Sequence, residues 1–291
     1  MADLPRPRRP EHAPRLPGRV TVYESTDDLL DAVARAVLVN AHRAVAGSGD
    51  FHVALSGGSS PMPVYERLMY DPEFRALPWA RTHLWIVDER RVPFEDDRSN
   101  FGHIREVLVA HSGIPAERVH PIMATRDDAD THLHAQLRGH LSARPPGWRR
   151  LDLVLLGMGA DAHTASLFPR SPALRADLPG PDHDPATIMG EPPLARLNSG
   201  PAVTPPDRVT MTLRCINGAD RVAVLAHGAA KAPTLARLVE TLDRAGDAPE
   251  RLPVDELPIL GVRPSSGNLE WFLDGASAGP HPGPSARPGA P

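Results

Sequence analysis

Short apolar runs alternate with longer amphipathic segments along most of this chain, and this alternation limits the folds open to it. Residues 151–156 are apolar apart from Asp152, which is typical of a strand covered on both faces. Residues 25 to about 45 place their apolar side chains on one stripe, which predicts a helix. The alternation therefore favours an α/β fold with a mostly parallel, doubly wound (Rossmann-like) sheet and helices on both faces.

The same patterns predict the individual elements and their ends. Ser25 is expected to cap the first helix, with Asp27 and Asp28 in its first turn. Residues 176–205 are proline-rich and weakly patterned, so we expect a long loop there. The predicted strands are 20–23, 51–55, 83–87, 118–122, 151–156, 208–213, 221–226 and 269–273; the further predicted helices start near 62 and cover 99–110, 127–141 and 231–244.

The distribution of proline predicts which part of the chain forms the folded domain. Many of the 34 prolines lie in residues 1–17 and 275–291, which we expect to be disordered tails around one α/β domain of residues 18–274.

The net charge of −4 argues against nucleic-acid or anionic-membrane partners. The N-terminus lacks the apolar core of a signal peptide, so we expect a cytoplasmic protein, either a monomer or a weak homodimer. A single cysteine, Cys215, excludes an intrachain disulfide.

A glycine-rich segment, SGGSSP at residues 56–61, lies between a predicted strand and a predicted helix. Glycines let backbone N–H groups approach an anion, and a helix N-terminus adds positive charge. The segment fits neither common nucleotide-binding consensus. A phosphate-binding loop and an ordinary turn both remain open, and the candidate ligands are Ser56, Gly57, Gly58 and Ser59.

Charged residues follow the next strand in WIVDERRVP, residues 85–93. Asp88 and Arg90 stand at the carboxyl end of that strand, where open α/β sheets bind ligands. Taken alone, the pattern is more typical of a solvated strand end. Ser99 and Asn100 are expected to cap the next helix.

The apolar strand at 151–156 runs into a glycine-rich turn that contains Asp161 and His163. A histidine can accept and return a proton near neutral pH, and a carboxylate beside it can orient the ring. The amides of Gly157 and Gly159 are candidates to stabilise an oxyanion. A surface histidine in a loop is the simpler alternative.

Two cations stand near the ends of later strands, Arg208 in PPDRVTMT and Lys231 in HGAAK. Lys231 is the only lysine in a chain that otherwise uses arginine, which is consistent with codon bias or with a site that needs a compact ammonium group. Both side chains could reach a phosphate in the sheet crevice.

Neither a metal site nor a serine esterase is expected. His132 and His134 are two residues apart on a predicted helix, so they point to different faces, and we expect no metal site. The G-x-S-x-G elbow of serine esterases is absent from the sequence.

Six stretches, in order, resemble the family of 6-phosphogluconolactonase and glucosamine-6-phosphate deaminase/isomerase. They are ALSGGSSP, WIVDERRVP with SN, LDLVLLGMGADAHTASLFP, PPDRVTMT, HGAAK and LEWFLD, and they span about residues 51–274. The resemblance implies hydrolysis of 6-phospho-D-glucono-1,5-lactone, a step of the oxidative pentose phosphate pathway, without a cofactor. His163 would be the general base, Asp161 would orient it, and Asp88 and Arg90 would contact sugar hydroxyls or phosphate.

The sequence also departs from the family pattern. Family members usually carry glycine where this chain has Ala162, which would strain a turn that needs a positive φ or crowd the substrate. Thr204 stands where a lysine is common. Deaminases resemble this chain less, because they carry a glutamate at the position of Phe168 and a tyrosine at that of Arg90. The deaminase remains the alternative enzyme, and a non-catalytic sugar-phosphate sensor is the second alternative.

Overall fold

Strands are found throughout the computed structural model, which describes residues 13–175, 192–246 and 248–279. They are β1 Arg19–Tyr23, β2 Phe51–Leu55, β3 Thr82–Ile86, β4 Asp88–Arg90, β5 Val119–His120, β6 Leu153–Gly157, β7 Ala195–Ser199, β8 Asp207–Met211, β9 Val222–Ala226 and β10 Leu269–Asp274. Seven of them form a parallel sheet in the order β1-β10-β9-β6-β2-β3-β5. Every residue of β2 and β9 is buried, so both faces of the sheet are covered there. The predicted mostly parallel α/β sheet is confirmed.

Helices connect these strands and pack on the sheet. The first begins as the sequence predicts, because the Ser25 side chain accepts a hydrogen bond of 3.0 Å from the Asp28 amide. It ends at Gly49, whose φ of 92° suits glycine. Among the described residues, no helix has both the length and the apolar character needed to cross a bilayer. The helices are α1 Thr26–Ser48, α2 Met62–Tyr70, α3 Asn100–Ile104, α4 Ala110–Ser112, α5 Ala129–Ser142, α6 Pro172–Arg175, α7 Leu213–Asn217, α8 Ala232–Ala245 and α9 Gly275–Ala278, with a π-turn Arg105–Val109 between α3 and α4.

A second, antiparallel sheet of β4, β8 and β7 stands at the carboxyl edge of the main sheet. Val87 joins the two, because its amide donates to Leu55 O and its carbonyl accepts from the Met211 amide. The strand predicted at 208–213 is present as β8, in this second sheet. One prediction is corrected here: the loop predicted at 176–205 contains β7. The prolines around β7 hide a short strand that gains its stability by pairing with β8; residues 176–191 lie outside the described residues.

The folded chain also extends beyond both predicted boundaries. Leu16 is buried, and the indole N–H of Trp271 donates to Pro17 O at 2.9 Å, so residues 13–17 pack on the domain. At the other end, Asp274 and Ser277 form a reciprocal capping box that starts α9, so residues 275–278 are helical. Apolar and capping contacts that depend on the tertiary fold therefore order residues that their composition assigns to the tails. Residues 1–12 and 280–291 lie outside the described residues.

Candidate active site

A cavity of about 450 Å³ opens at the carboxyl ends of β2 and β6, beneath the second sheet. The loops after β2, β6 and β9 supply most of its walls. Asp161 lies behind His163 and does not line it. The other predicted site residues line the cavity together: Ser56, Gly57, Gly58, Ser59, Asp88, Arg90, Gly157, Gly159, His163, Arg208 and Lys231.

The loop at residues 56–60 presents its backbone to this cavity. Within the part of the chain that is described, the amides of residues 57–60 have no hydrogen-bond acceptor. A Cβ at Gly57 would lie 2.0 Å from Asn100 Oδ1, and Gly58 has a φ of 90°, so both positions require glycine. The Ser56 hydroxyl is buried and has no partner among the described residues. Open amides and a free hydroxyl make this loop suited to an anion.

Asp161 and His163 form a hydrogen-bonded pair at the cavity. The Asp161 Oδ1 lies 2.5 Å from His163 Nδ1 and also accepts from the His163 amide at 3.1 Å. Burial opposes ionisation of Asp161, but the hydrogen bonds from His163 and its charge outweigh burial, and the pKa of Asp161 is lowered. The ionised carboxylate can only accept, so in the neutral imidazole Nδ1 carries the proton and Nε2 has the free lone pair.

The turn before this pair needs glycine, but it does not supply both expected oxyanion donors. A Cβ at Gly159 would lie 2.2 Å from the His163 ring. The Gly159 amide donates to His163 O at 2.8 Å, so the prediction that it faces an oxyanion is wrong. Gly157 differs. Along a strand, the backbone groups of alternate residues point to the same neighbouring strand. Leu155 O accepts from the Ser56 amide, so Leu155 faces β2. Gly157, two residues later, therefore points its amide to the same side, beyond the end of β2.

Ala162 adopts the left-handed conformation that its family position implies. Its φ is 68°, which costs an alanine about 1–2 kcal/mol relative to right-handed backbone. Its side chain is fully buried and does not line the cavity. The expected strain is therefore present, whereas the expected crowding of the cavity is not.

Lys231 reaches the cavity from the short helical turn Ala229–Lys231 that follows β9. Its Nζ donates to Met158 O at 2.7 Å, which fixes one of its three N–H groups. Burial lowers the pKa of Lys231, and the Asp161 carboxylate offsets this only in part. Two N–H donors remain for an anion in the cavity.

Arg90 and Arg208 face the cavity from the second sheet. They are directly opposite each other in the β4–β8 ladder. Burial and then the charge of Arg90 lower the pKa of Arg208. Like charges at opposed positions repel, so an anion between them would relieve that repulsion.

Three buried residues that carried no predicted substrate contact hold this wall in place. Ser166 Oγ donates to Asp88 Oδ2 at 2.6 Å, and Asn100 Nδ2 donates to Asp88 O at 2.7 Å. The Glu89 carboxylate accepts from the amides of Asn100 and Phe101, and from the Ser99 hydroxyl. Ser99 caps α3 as predicted. The motifs contained these residues, but only the fold shows that Ser166 and Asn100 line the cavity.

Phe168 packs against the catalytic candidate. Its ring centroid lies 5.0 Å from that of His163, and its side chain is buried. The Arg208 guanidinium carbon lies 5.9 Å from the centroid of the Phe168 ring. The position where deaminases carry a glutamate is thus an apolar wall for His163.

Comparisons with known proteins agree with this architecture. A sequence profile described as glucosamine-6-phosphate isomerases/6-phosphogluconolactonase matches residues 24–271. The 6-phosphogluconolactonase of Rattus norvegicus is 32% identical over 271 residues, covering 90% of this chain and 93% of the rat protein. The human GDH/6PGL endoplasmic bifunctional protein is 38% identical over 257 residues; the match covers 86% of this chain, which spans only 29% of the human protein.

A solved structure with comparable sequence identity to this chain has the same fold. The 6-phosphogluconolactonase of Thermotoga maritima superposes with a TM-score of 0.67 at 28% identity, covering 88% of this chain and 99% of the other. The profile match extends over most of the chain, and the rat protein is matched over most of both lengths. The chain therefore belongs to the glucosamine-6-phosphate isomerase/6-phosphogluconolactonase family.

Proposed function

We propose that this protein hydrolyses 6-phospho-D-glucono-1,5-lactone to 6-phospho-D-gluconate. The observation that supports this most directly is the Asp161–His163 pair, which presents a free imidazole nitrogen to a cavity lined by Lys231, Arg90 and Arg208. A proton acceptor facing a cationic cavity suits a substrate that joins a hydrolysable ester to a phosphate. Several relatives are named 6-phosphogluconolactonase.

The phosphate is assigned to the loop at residues 56–60. Its open amides would donate to the phosphate oxygens, and the two remaining N–H groups of Lys231 would complete the contact. Arg208 adds positive charge from the second sheet, and Asp88 and Arg90 contact sugar hydroxyls or phosphate. Binding at the phosphate end positions the lactone carbonyl toward His163.

The proposed reaction follows from the contact of His163 Nδ1 with Asp161, which leaves Nε2 facing the substrate. Its Nε2 removes a proton from a water molecule as the water oxygen forms a bond to the lactone C1. The imidazolium that results is stabilised by the ionised Asp161 on the Nδ1 side. The bond between C1 and the ring oxygen then breaks, and Nε2 returns the proton to that oxygen. The product acid ionises in solution, so His163 ends in its starting state.

The negative charge on the carbonyl oxygen needs a donor in the transition state. The Gly159 amide is already engaged, so we assign this role to the Gly157 amide, which faces the cavity beyond the end of β2. Hydrolysis of an ester transfers no electrons, and the proposed steps use only side chains, backbone amides and water. The proposal therefore includes no redox cofactor.

The deaminase alternative lacks support at the same position. Its proton transfers would use a glutamate where this chain has Phe168, and Phe168 is buried against the His163 ring. The phenyl ring of Phe168 carries no proton that it could exchange with a substrate. Of the two family activities, lactone hydrolysis is the one these side chains support.

A coupled assay tests the proposal. Glucose-6-phosphate dehydrogenase generates the lactone in situ, and 6-phosphogluconate dehydrogenase reports the open acid. We expect a rate well above spontaneous hydrolysis with the wild-type chain, and a rate near background with His163→Ala. A wild-type rate equal to the rate without protein would overturn the proposal, and binding of 6-phosphogluconate in that case would identify a sensor instead.

A further inference from the structure

Histidines gather at the opposite edge of the sheet from the active-site cavity. His52 and His83 are the second residues of β2 and β3 and lie side by side in register. His120 ends β5, where it pairs with Trp85 of β3. His140, near the end of α5, packs on the same face and lies 4.5 Å from His120 by ring centroids. We call these residues the histidine cluster.

Three of these imidazoles bring nitrogen atoms together. The candidate ligand atoms of His83, His120 and His140 all lie within 4.8 Å of one another. His83 Nδ1 is 2.9 Å from His120 Nε2. Nitrogen ligands about 2.0–2.1 Å from a tetrahedral zinc ion are about 3.3 Å apart. The His83 and His120 nitrogens therefore need to separate only slightly, and the His140 nitrogen, within 4.8 Å of both, must move closer.

Packing fixes the rings in this arrangement. The Trp85 indole stacks on His120 with centroids 3.8 Å apart, and His52 stacks on His83 at 4.2 Å. The Trp85 Nε1 donates to His52 Nδ1 at 3.2 Å, which holds the far side of the stack. A set of ligands held by its surroundings before an ion arrives loses little freedom on binding one.

We propose that His83, His120 and His140 bind a divalent late transition-metal ion such as Zn²⁺. Imidazole ligands without a carboxylate favour Zn²⁺, Ni²⁺, Cu²⁺ or Co²⁺ over Mg²⁺ or Ca²⁺. The expectation of no metal site considered only ligands close in sequence, whereas these three come from two strands and a helix. The proposal does not depend on the proposed hydrolase activity, because the cluster is separate from the cavity residues.

Arg118 competes with a metal ion for His83. Its guanidinium lies 2.8 Å from His83 Nε2 and can only donate, so His83 carries its proton on Nδ1 and donates it to His120. A metal ion bound to Nδ1 would take the place of that shared proton, which would move to Nε2. Nε2–H would then face another donor, so Arg118 must turn away for the ion to bind.

Titration of the full chain with Co²⁺, followed by its visible absorption, and with Zn²⁺, followed by calorimetry, tests the site. The protein is first treated with a chelator and dialysed. We expect one metal ion per chain at the cluster, with affinity at least about tenfold weaker in His120→Gln and His140→Gln. We expect Arg118→Gln to bind more tightly than the wild type, because the competing donor is gone.

Two control variants separate the cluster from other histidines. His132→Gln changes another residue of α5, and His163→Gln removes the active-site histidine; neither should alter the binding of this ion. Absence of binding to the wild type, or unchanged affinity in both cluster variants, would overturn the proposal. Loss of binding in His163→Gln alone would assign the ion to the active-site pair and also overturn it. His140 is only half-buried, so its variant provides the test if His120→Gln fails to fold, as judged by circular dichroism.

Discussion

The carboxylate of Asp161 lies 2.5 Å from Nδ1 of His163, and this hydrogen bond leaves Nε2 as the nitrogen that can accept a proton. The pair comes from a turn in which the Gly159 amide holds the His163 carbonyl at 2.8 Å. A side chain at Gly159 would collide with the imidazole. The backbone of the turn therefore determines both the position and the tautomer of the proposed base.

The first prediction concerns this pair. We expect His163→Ala to lower kcat by about 10²–10⁴-fold, which is the usual contribution of a general base. Asp161→Asn should lower kcat less, because the ring remains but loses its ionised partner. Steady-state kinetics in the coupled assay measure both, with His132→Ala as a histidine control outside the cavity. An unchanged kcat in His163→Ala would remove this residue from the mechanism.

Lys231 should act on binding rather than on the chemical step. A charge-assisted hydrogen bond contributes about 1.5–3 kcal/mol, so Lys231→Met should raise KM by about 10–100-fold with little change in kcat. The phosphate is held equally in the ground and transition states, which is why the rate constant should be spared. Arg237→Met, an exposed cation on α8, is the matched control. A large loss of kcat at unchanged KM would contradict this role.

Alkaline pH should weaken phosphate binding through the same residue. Burial lowers the pKa of Lys231 below its ordinary value of 10.5, so its charge is complete at lower pH and is lost as pH rises through the lowered pKa. The phosphate itself is doubly ionised above its second pKa of about 6 and does not titrate in this range. Calorimetry with 6-phosphogluconate from about pH 7 to about pH 10 should show weakening before an exposed lysine would titrate. In Lys231→Met this part of the pH dependence should vanish; its persistence would assign it to another group.

Much of the site was predictable because ligands bind where parallel strands end. Asp88, Lys231 and the glycine-rich loops could be placed at one edge of the sheet from the strand pattern alone. The second sheet could not be predicted in this way, because β4 has only three residues and β7 lies among prolines. Both strands depend on pairing with β8. Hydrogen bonds made by backbone amides, such as that of Gly159, leave no trace in residue type. The histidine cluster was not predicted for a related reason: its members are brought together by strand register, which the residue types do not reveal.

Ala162 allows a test of backbone strain that is separate from catalysis. Ala162→Gly relieves about 1–2 kcal/mol of strain at a φ of 68°, but it loses a buried methyl group and gains freedom in the unfolded chain. We therefore expect its free energy of unfolding to stay within about 1 kcal/mol of wild type. Activity should also be retained, because the side chain does not line the cavity.

Ala162→Val is the companion variant, since a β-branched side chain is poorly tolerated at positive φ and the site is fully buried. We expect it to lose about 1–3 kcal/mol or more in urea unfolding. Equal stability of the valine and glycine variants would show that this turn relaxes freely. A marked gain of activity in Ala162→Gly would show that the alanine does restrict the substrate.

Arg144 should be the most costly single cation to remove. Its guanidinium is buried and donates to both oxygens of Asp152, at 3.1 and 2.9 Å, and its Nε contacts Asp50 at 3.2 Å. Asp152 is fully buried beside the start of β6 and also accepts from the His52 amide at 2.7 Å. This contact explains the carboxylate beside an otherwise apolar strand. Arg144→Met would leave that charge without its cation.

We expect Arg144→Met to lower the free energy of unfolding by about 3–5 kcal/mol, measured by urea denaturation. Arg237→Met, an exposed cation, should change it by no more than about 0.5 kcal/mol. The double variant Arg144→Met with Asp152→Asn should recover part of the loss, because the amide oxygen can still accept from His52 while no buried charge remains unpaired. A double variant less stable than Arg144→Met would show that Asp152 stabilises the fold through contacts other than this ion pair.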